Sequence, residues 1–60
     1  MSGFLKITKF GKYMLVNLDS ILNIVEEEEG KCCLYISNGN QLYPDDTFAQ
    51  VCEALDDLLR

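Results

Sequence analysis

The side chains best suited to chemistry are a run of four acids and three thiols. Glu26, Glu27, Glu28 and Glu29 come shortly before the adjacent pair Cys32 and Cys33, and Cys52 follows near the C-terminal end. Carboxylates are ligands for Ca²⁺, and thiolates are ligands for Zn²⁺. In a strand, however, neighbouring side chains point to opposite faces, so Cys32 and Cys33 diverge and the glutamates alternate. The sequence therefore favours reduced structural thiols, an acidic hairpin end, and no metal or other cofactor.

The residue types needed for common catalytic arrangements are missing. The chain has no histidine, which removes the commonest general base and any Cys/His pair. It also has no glycine-rich phosphate loop and no serine elbow. We therefore expect a non-enzymatic protein with no catalytic residues.

The size and charge of the chain limit its class further. Sixty residues, 48% of them hydrophobic, predict a single small domain over residues 1–60. Its core is so small that self-association would be a common way to add stability. The formal net charge is −5, so the chain repels phosphate backbones overall. The sequence shows no membrane-spanning run and no signal-peptide pattern, which predicts a cytoplasmic location and no membrane partner.

The N-terminal stretch "FLKITKFGKYMLVNL" alternates on both sides of Gly11 and predicts a β-hairpin. We place its turn at Gly11-Lys12, because a turn at Phe10-Gly11 would oppose Lys9 to Lys12. One face then forms a core stripe that consists of Leu5, Ile7, Met14, Val16 and Leu18.

The other face of this hairpin carries the candidate interface, which consists of Phe4, Phe10, Tyr13 and Leu15. A solvated face would be more polar. Two readings stay open at this point: a second packed layer under a C-terminal helix, or an exposed surface that binds a partner.

The rest of the chain predicts two more hairpins. "ILNIVEEEE" is a third strand, and a turn at Glu29-Gly30 would pair Glu28 with Lys31. The pair Asn38-Gly39 predicts a type I′ turn that places Tyr35 opposite Leu42.

The C-terminal stretch predicts an amphipathic helix over about residues 46–59, after Pro44 ends the sheet. Thr47 and Gln50 fit a capping box, and Asp45 and Asp46 suit the positive helix start. Arg60 suits its end. Together these elements predict an α+β fold: a small antiparallel β-meander of four to five strands within residues 4–43, with one C-terminal α-helix.

A family resemblance covers most of the chain. The segment "FGKYMLVNLDSILNIVEEEEGKCCLYISNGNQLYPDDTFAQVCEAL" resembles the FlbD-type flagellar small-protein family at positions shared by its turns and strands, namely Gly11, Asn17, Ile21, Ile24, Leu34, Asn38 and Gly39. That resemblance implies a non-enzymatic accessory role. The stretches "YMLVNLDSILNI" and "LYISNG" are also similar to the end of LytTR-type domains. This similarity would imply DNA binding, but acids stand where such a domain needs basic loop residues.

The combined expectation is a small cytosolic protein-interaction or regulatory module that self-associates, with a dimer favoured, and that the resemblance connects with the flagellum. Two alternatives remain. One is a small phage- or host-encoded inhibitor that covers a basic protein surface with the acids Glu26, Glu27, Glu28 and Glu29. The other is a weak nucleic-acid binder that uses the lysines and aromatic residues of the first hairpin, which are Lys6, Lys9, Lys12, Phe4, Phe10 and Tyr13. The acidic excess disfavours nucleic acid as a partner.

Overall fold

The computed structural model describes residues 3–59 and shows a small α+β protein. In chain order the strands are β1 (Phe4–Lys9), β2 (Lys12–Asn17), β3 (Ile21–Glu26), β4 (Cys32–Ile36) and β5 (Gln41–Leu42), and the helix α1 spans Phe48–Leu58. All strand pairs are antiparallel, in one sheet β1-β2 and a second sheet β3-β4-β5. The predicted fold class is confirmed. Arg60, which the sequence assigned to the helix end, lies outside the described residues.

The core lies between the inner faces of the two sheets and α1. Its buried apolar side chains come from β1, β2, β4 and α1, and they are Leu5, Ile7, Val16, Cys32, Leu34 and Val51. Burying a side chain such as Leu34 stabilises the fold by about 1.5–3 kcal/mol. Met14, predicted to belong to this core, is instead 40% exposed.

The predicted capping box at the start of α1 is present in both directions. The Thr47 hydroxyl accepts a hydrogen bond from the Gln50 backbone N–H at 3.2 Å, and the Gln50 side-chain oxygen accepts one from the Thr47 N–H at 2.9 Å. The cap satisfies N–H groups that have no partner inside the helix. Because Thr47 is the N-cap, the helix begins at the next residue, Phe48.

The predicted register of the first hairpin is wrong by two positions. Its turn is Phe10-Gly11, with positive φ at both residues (53° and 75°), and Lys9 lies opposite Lys12. Positive φ at both central positions is the geometry that matches the twist of a two-residue hairpin. A two-position shift leaves every side chain on its predicted face, so Leu5, Ile7 and Val16 still point into the core.

The opposed lysines are tolerated because acidic and carbonyl oxygens lie beside them. The Lys9 ammonium donates a hydrogen bond to the Tyr43 carbonyl. The Asp45 carboxylate accepts a hydrogen bond from the Gly11 N–H at 3.0 Å, at the same end of the hairpin. These contacts come from residues far along the chain, which local strand pairing alone does not reveal.

The two later hairpins occur where predicted, but both registers are wrong by one position. Val25 lies opposite Cys33, and the loop Glu28–Gly30 is closed by a hydrogen bond from the Glu27 N–H to the Lys31 carbonyl, so Glu28 and Lys31 are not a cross-strand pair.

Similarly, Tyr35 lies opposite Gln41 instead of Leu42. The Ile36 N–H bonds to the Asn40 carbonyl at 2.9 Å, so the loop has one residue more than a type I′ turn. Within the Asn38-Gly39 pair only Gly39 has a positive φ, 91°. The Asn38 side chain instead accepts a hydrogen bond from the Asn40 N–H at 2.9 Å. A loop that ends in a left-handed residue takes one more residue than a two-residue turn.

The two sheets are joined by an aspartate clasp, which we define as Asp45 and Asp46 bound to Thr8 and Gly11. The Asp45 N–H donates to the Thr8 carbonyl at 2.7 Å, and the Thr8 N–H donates to the Asp46 carboxylate at 3.0 Å. On the other side of this segment, Thr47 forms a β-bridge with Lys31. The segment after β5 therefore lies between Lys31 and Thr8 and connects the two sheets, with β2 and β3 at their outer edges. The acids assigned to the helix start thus bind the first hairpin through their side chains.

We predict that Gly39→Val lowers the free energy of unfolding by about 1–3 kcal/mol, because a β-branched residue resists the φ of 91° at this position. Gly39→Asn is the matched control, since asparagine tolerates positive φ, and it should lose less. Urea unfolding followed by circular dichroism measures both. Equal stability of the valine variant and the original protein would contradict the observed turn.

We also predict that Asp46→Ala costs about 1–2 kcal/mol, because the half-buried Thr8 N–H loses a charged acceptor. Asp46→Asn keeps a side-chain oxygen and should recover part of this loss. The same unfolding experiment decides the point, and identical midpoints for the alanine variant and the original protein would show that the clasp contributes nothing to stability.

Candidate protein-interaction surface

An exposed apolar surface lies on the side of the β1-β2 hairpin that faces away from the core. Its exposed large side chains are Phe4, Tyr13 and Leu15, which are 56%, 77% and 63% exposed. They lie together because Phe4, Lys6 and Thr8 of β1 are paired with Asn17, Leu15 and Tyr13 of β2, and alternate residues of each strand share a face. We call Phe4, Lys6, Tyr13 and Leu15 the outer face.

Lys6 completes the outer face as its one charged member. Its ammonium nitrogen lies 4.6 Å from the centroid of the Tyr13 ring. A cation in this position is attracted by the ring and is worth about 0.5–1 kcal/mol at an exposed site. The contact orders the tyrosine while it leaves the ring exposed, which suits a surface that binds by aromatic packing.

The structure separates Phe10 from the other predicted interface residues. Phe10 is 83% exposed, but it occupies the turn at the end of the hairpin and not a strand row. Its ring lies 4.6 Å from the Lys9 ammonium nitrogen. The hairpin therefore offers three of the four predicted residues on one face and the fourth at its end.

The four glutamates form an exposed acidic end. Glu26 ends β3, and the other three lie in the loop that follows. A shallow groove of about 270 Å³ is lined there by Glu27, Glu28, Glu29, Lys31 and Tyr43. Among residues 3–59 no three histidine, cysteine or acidic side chains are grouped so that they could hold a metal ion. The chemistry available at this end is attraction to a basic surface.

The three cysteines are free thiols in different environments. Cys32 lies in the core beneath α1, whereas Cys33 is fully buried although it is on the other side of β4. Burial, aided by the nearby thiols of Cys33 and Cys52 and by Asp46, raises the pKa of the Cys32 thiol to about 11. Such a thiol is protonated at neutral pH, so it is a poor nucleophile.

Tyr35 and Tyr43 both lie near Cys33. A hydrogen bond with the Cys33 thiol is the main reason that the pKa of the Tyr43 phenol is raised, and the electrostatic effect of Cys33 is the main reason that the pKa of Tyr35 is raised. The Tyr43 hydroxyl also donates to the side-chain oxygen of Gln41 at 3.0 Å. The thiol is therefore enclosed by packing and not by ligands.

Sequence reasoning missed an apolar groove at the junction of β3 and the end of α1. It has a volume of about 330 Å³, and its apolar lining consists of Leu18, Ile21, Leu22, Ile24, Leu55 and Leu59. Leu22 lies at an irregularity in the β3-β4 pairing and is 64% exposed. A signal for this groove was present in the sequence. Leu22 follows Ile21 directly, so the two break the alternation of apolar and polar residues expected for a regular strand.

Within residues 3–59, no helix combines the length and the apolar character that crossing a bilayer requires.

We predict that the free energy of unfolding falls as the pH rises from about 9 towards about 11, because the unfolded chain ionises Cys32 near pH 9 whereas the folded chain holds that proton to about pH 11. Denaturant titrations at pH 8, 9 and 10 measure the slope. Below pH 10 the raised pKa values of Tyr35 and Tyr43 contribute little to it.

Cys32→Ala is the control for this prediction. It should be less stable at pH 8 because a core side chain is shortened, and its stability should depend less on pH between 9 and 10. An unchanged slope in this variant would assign the pH dependence to other groups.

Comparison with known proteins found no match among protein-family models, curated sequences or solved structures. The basis for a function is therefore the surface chemistry of this chain itself.

Proposed function

We propose that this protein is a small non-enzymatic protein-binding module, that the outer face is its binding surface, and that it self-associates. The observation that carries the proposal is the exposure of Phe4, Tyr13 and Leu15 on a hairpin whose opposite face already supplies the core. A grouped set of large exposed hydrophobic side chains marks an interaction site more often than a solvated surface.

The composition of the outer face supports a protein partner over a small molecule. The face has no enclosing walls, since it is one side of a two-stranded ribbon. Flat surfaces rich in tyrosine and phenylalanine are typical of protein interfaces, whereas small ligands bind in concave sites. The buried, protonated Cys32 supports a non-enzymatic role.

The acidic end would give such a module selectivity for its partner. Its glutamates are exposed and lie in a loop, so they can attract a basic surface at long range without being desolvated. An inhibitor that covers a basic protein would use the same residues. We propose that this end steers association by electrostatic attraction and that the outer face provides most of the binding affinity.

The resemblance to the FlbD-type flagellar family supports an accessory role of this kind, and on that resemblance we extend the proposal to a flagellum-related partner. Two of the positions that carry it, Gly11 and Gly39, lie in hairpin turns with positive φ. They support a shared fold pattern and do not name a binding residue.

A second candidate function is binding of single-stranded nucleic acid by the first hairpin. The observation that favours it is the pairing of Lys6 with Tyr13 and of Lys9 with Phe10, each at 4.6 Å. Lysines next to exposed rings suit a base stacked beside its phosphate. The net charge of −5 opposes it.

We predict that Leu15→Asp weakens self-association at least about tenfold with little loss of stability, because the aspartate would be desolvated in the interface while position 15 is exposed in the free protein. Leu22→Asp is the matched control, since Leu22 is similarly exposed but lies away from the outer face. Sedimentation velocity over a concentration series gives the dissociation constants.

Fluorescence anisotropy with labelled single-stranded oligonucleotides, at physiological salt, tests the second candidate. We expect no binding. A monomeric protein that binds these oligonucleotides, and loses that binding in Lys6→Glu, would replace the protein-binding proposal with the nucleic-acid one.

A further inference from the structure

Strand β2 leaves a row of outward-directed backbone groups without a partner strand among residues 3–59. Thr8 directs both its N–H and its carbonyl towards the aspartate clasp, which is away from β2. Backbone direction alternates along an antiparallel pair, so Tyr13, opposite Thr8, also points its backbone away from β1. At the other end of the hairpin, the Leu18 N–H bonds to the Gly3 carbonyl. Leu18 therefore points its backbone towards β1, and its neighbour Asn17 points its N–H away from β1. Tyr13 and Leu15 therefore present their N–H and carbonyl groups at the open edge. Asn17 presents its N–H there, while its carbonyl begins the 3₁₀ turn Leu18–Ser20.

This edge has few of the devices that usually protect a free strand. β2 contains no proline, its one charged residue is Lys12 at its start, and its pairing with β1 is regular throughout. The other free edge, β3, has an irregularity between Ile21 and Asn23, and it runs into the glutamate loop. Irregular pairing and charge discourage edge-to-edge pairing, so of the two free edges β2 is the one open to it.

We propose that a second copy of this chain pairs antiparallel with the β2 edge, with the two-fold axis at Leu15. This inference rests on the proposed function, because it names the partner and the geometry of self-association. Leu15 then lies opposite its own counterpart, and Tyr13 lies opposite Asn17 of the other copy. The backbone of Leu15 is directed outward, so Leu15 exchanges two hydrogen bonds with its counterpart. Each Tyr13 carbonyl accepts one more from the Asn17 N–H of the other copy.

Charge complementarity favours this register. With the axis at Leu15, Lys12 of one copy lies next to the Leu18-Asp19 stretch of the other, and the symmetry repeats the contact at the other end. Lys12 and Asp19 are both exposed. An axis at Tyr13 would bring the lysine-bearing hairpin ends of the two copies together. An axis at Asn17 would oppose much of β2 to the 3₁₀ turn Leu18–Ser20, which is not extended.

The side chains on both sides of the paired sheet fit the same register. On the inner side, the 40% exposed Met14 comes opposite Val16 of the second copy. On the outer side, the two copies of Tyr13 and Leu15 form one continuous surface. The outer faces thus become a single larger binding surface in the dimer, and a further protein partner can use it.

Amide hydrogen exchange measured by NMR at several protein concentrations tests the pairing. We expect the Leu15 and Asn17 N–H groups to be unprotected in dilute protein and roughly tenfold slower when dimer predominates, since exchange then follows the monomer fraction. Met14 and Val16 bond to β1 in either state, so unlike Leu15 and Asn17 they should already be protected in dilute protein. Protection that rises with concentration at Met14 and not at Leu15, or at no position in β2, would overturn the register.

A backbone variant tests the edge without changing any side chain. The chain is short enough for chemical synthesis with ligation at Cys32, which allows N-methylation of Leu15. This removes an outward N–H and should shift the protein to monomer in sedimentation velocity, with its melting temperature measured on the same sample in dilute solution. N-methylation of Glu26 is the matched control: the Glu27 N–H bonds to Lys31, so the Glu26 N–H points to the open edge of β3.

The possible outcomes separate this inference from the proposed function. A monomeric N-methyl-Leu15 protein beside a dimeric N-methyl-Glu26 protein supports edge pairing. If both remain dimeric while Leu15→Asp is monomeric, the copies meet through their outer faces, so edge pairing is wrong and the proposed function stands. A protein that is monomeric at every concentration overturns the second copy as the partner.

Discussion

The backbone of Thr8 is the point on which the rest of the structure depends. Its N–H and its carbonyl are both bonded to the segment that contains Asp45 and Asp46. A two-stranded hairpin by itself is marginally stable in water. The aspartate clasp makes β1 an interior strand, so the core side chains Leu5 and Ile7 are held against α1. Because Thr47 caps the helix directly after the clasp, one short segment also fixes where α1 begins.

The parts of this fold that the sequence predicted are those set by local chemistry. Period-two alternation placed Leu5, Ile7 and Val16 on the buried face, and the capping box located the helix start within two residues, since both signals are contained in a few neighbouring positions. The hairpin registers were not predictable in the same way. The turn that opposes Lys9 to Lys12 is held by the Tyr43 carbonyl, which accepts from Lys9, and by Asp45, which accepts from the Gly11 N–H, and both come from the far end of the chain.

The candidate surface was also predictable only where neighbouring residues determine it. The sequence identified Phe4, Tyr13 and Leu15 as apolar residues that the core does not need, and they are exposed together on the outer face. It grouped Phe10 with them by assuming a different turn, and the positive φ of Phe10 removes it from the strand rows. The burial of Cys33 required knowledge of Tyr43, which reaches it from beyond the last hairpin. The order of the strands, and therefore the identity of the open edges, follows from the clasp and is not visible in any local pattern.

The position of β2 joins stability to association. In the single chain, β2 is held by β1 on one side only, and Val16 is its sole buried residue. Elements with few buried contacts open most easily, so β2 belongs to the least stable part of the fold. A partner that pairs with its edge would bind the folded strand and not the open one, and it would stabilise the strand by mass action. In a chain with so small a core, the free energy gained at the β2 edge would count as both binding energy and folding energy. Self-association and the stability of the first hairpin would then rise and fall together with protein concentration.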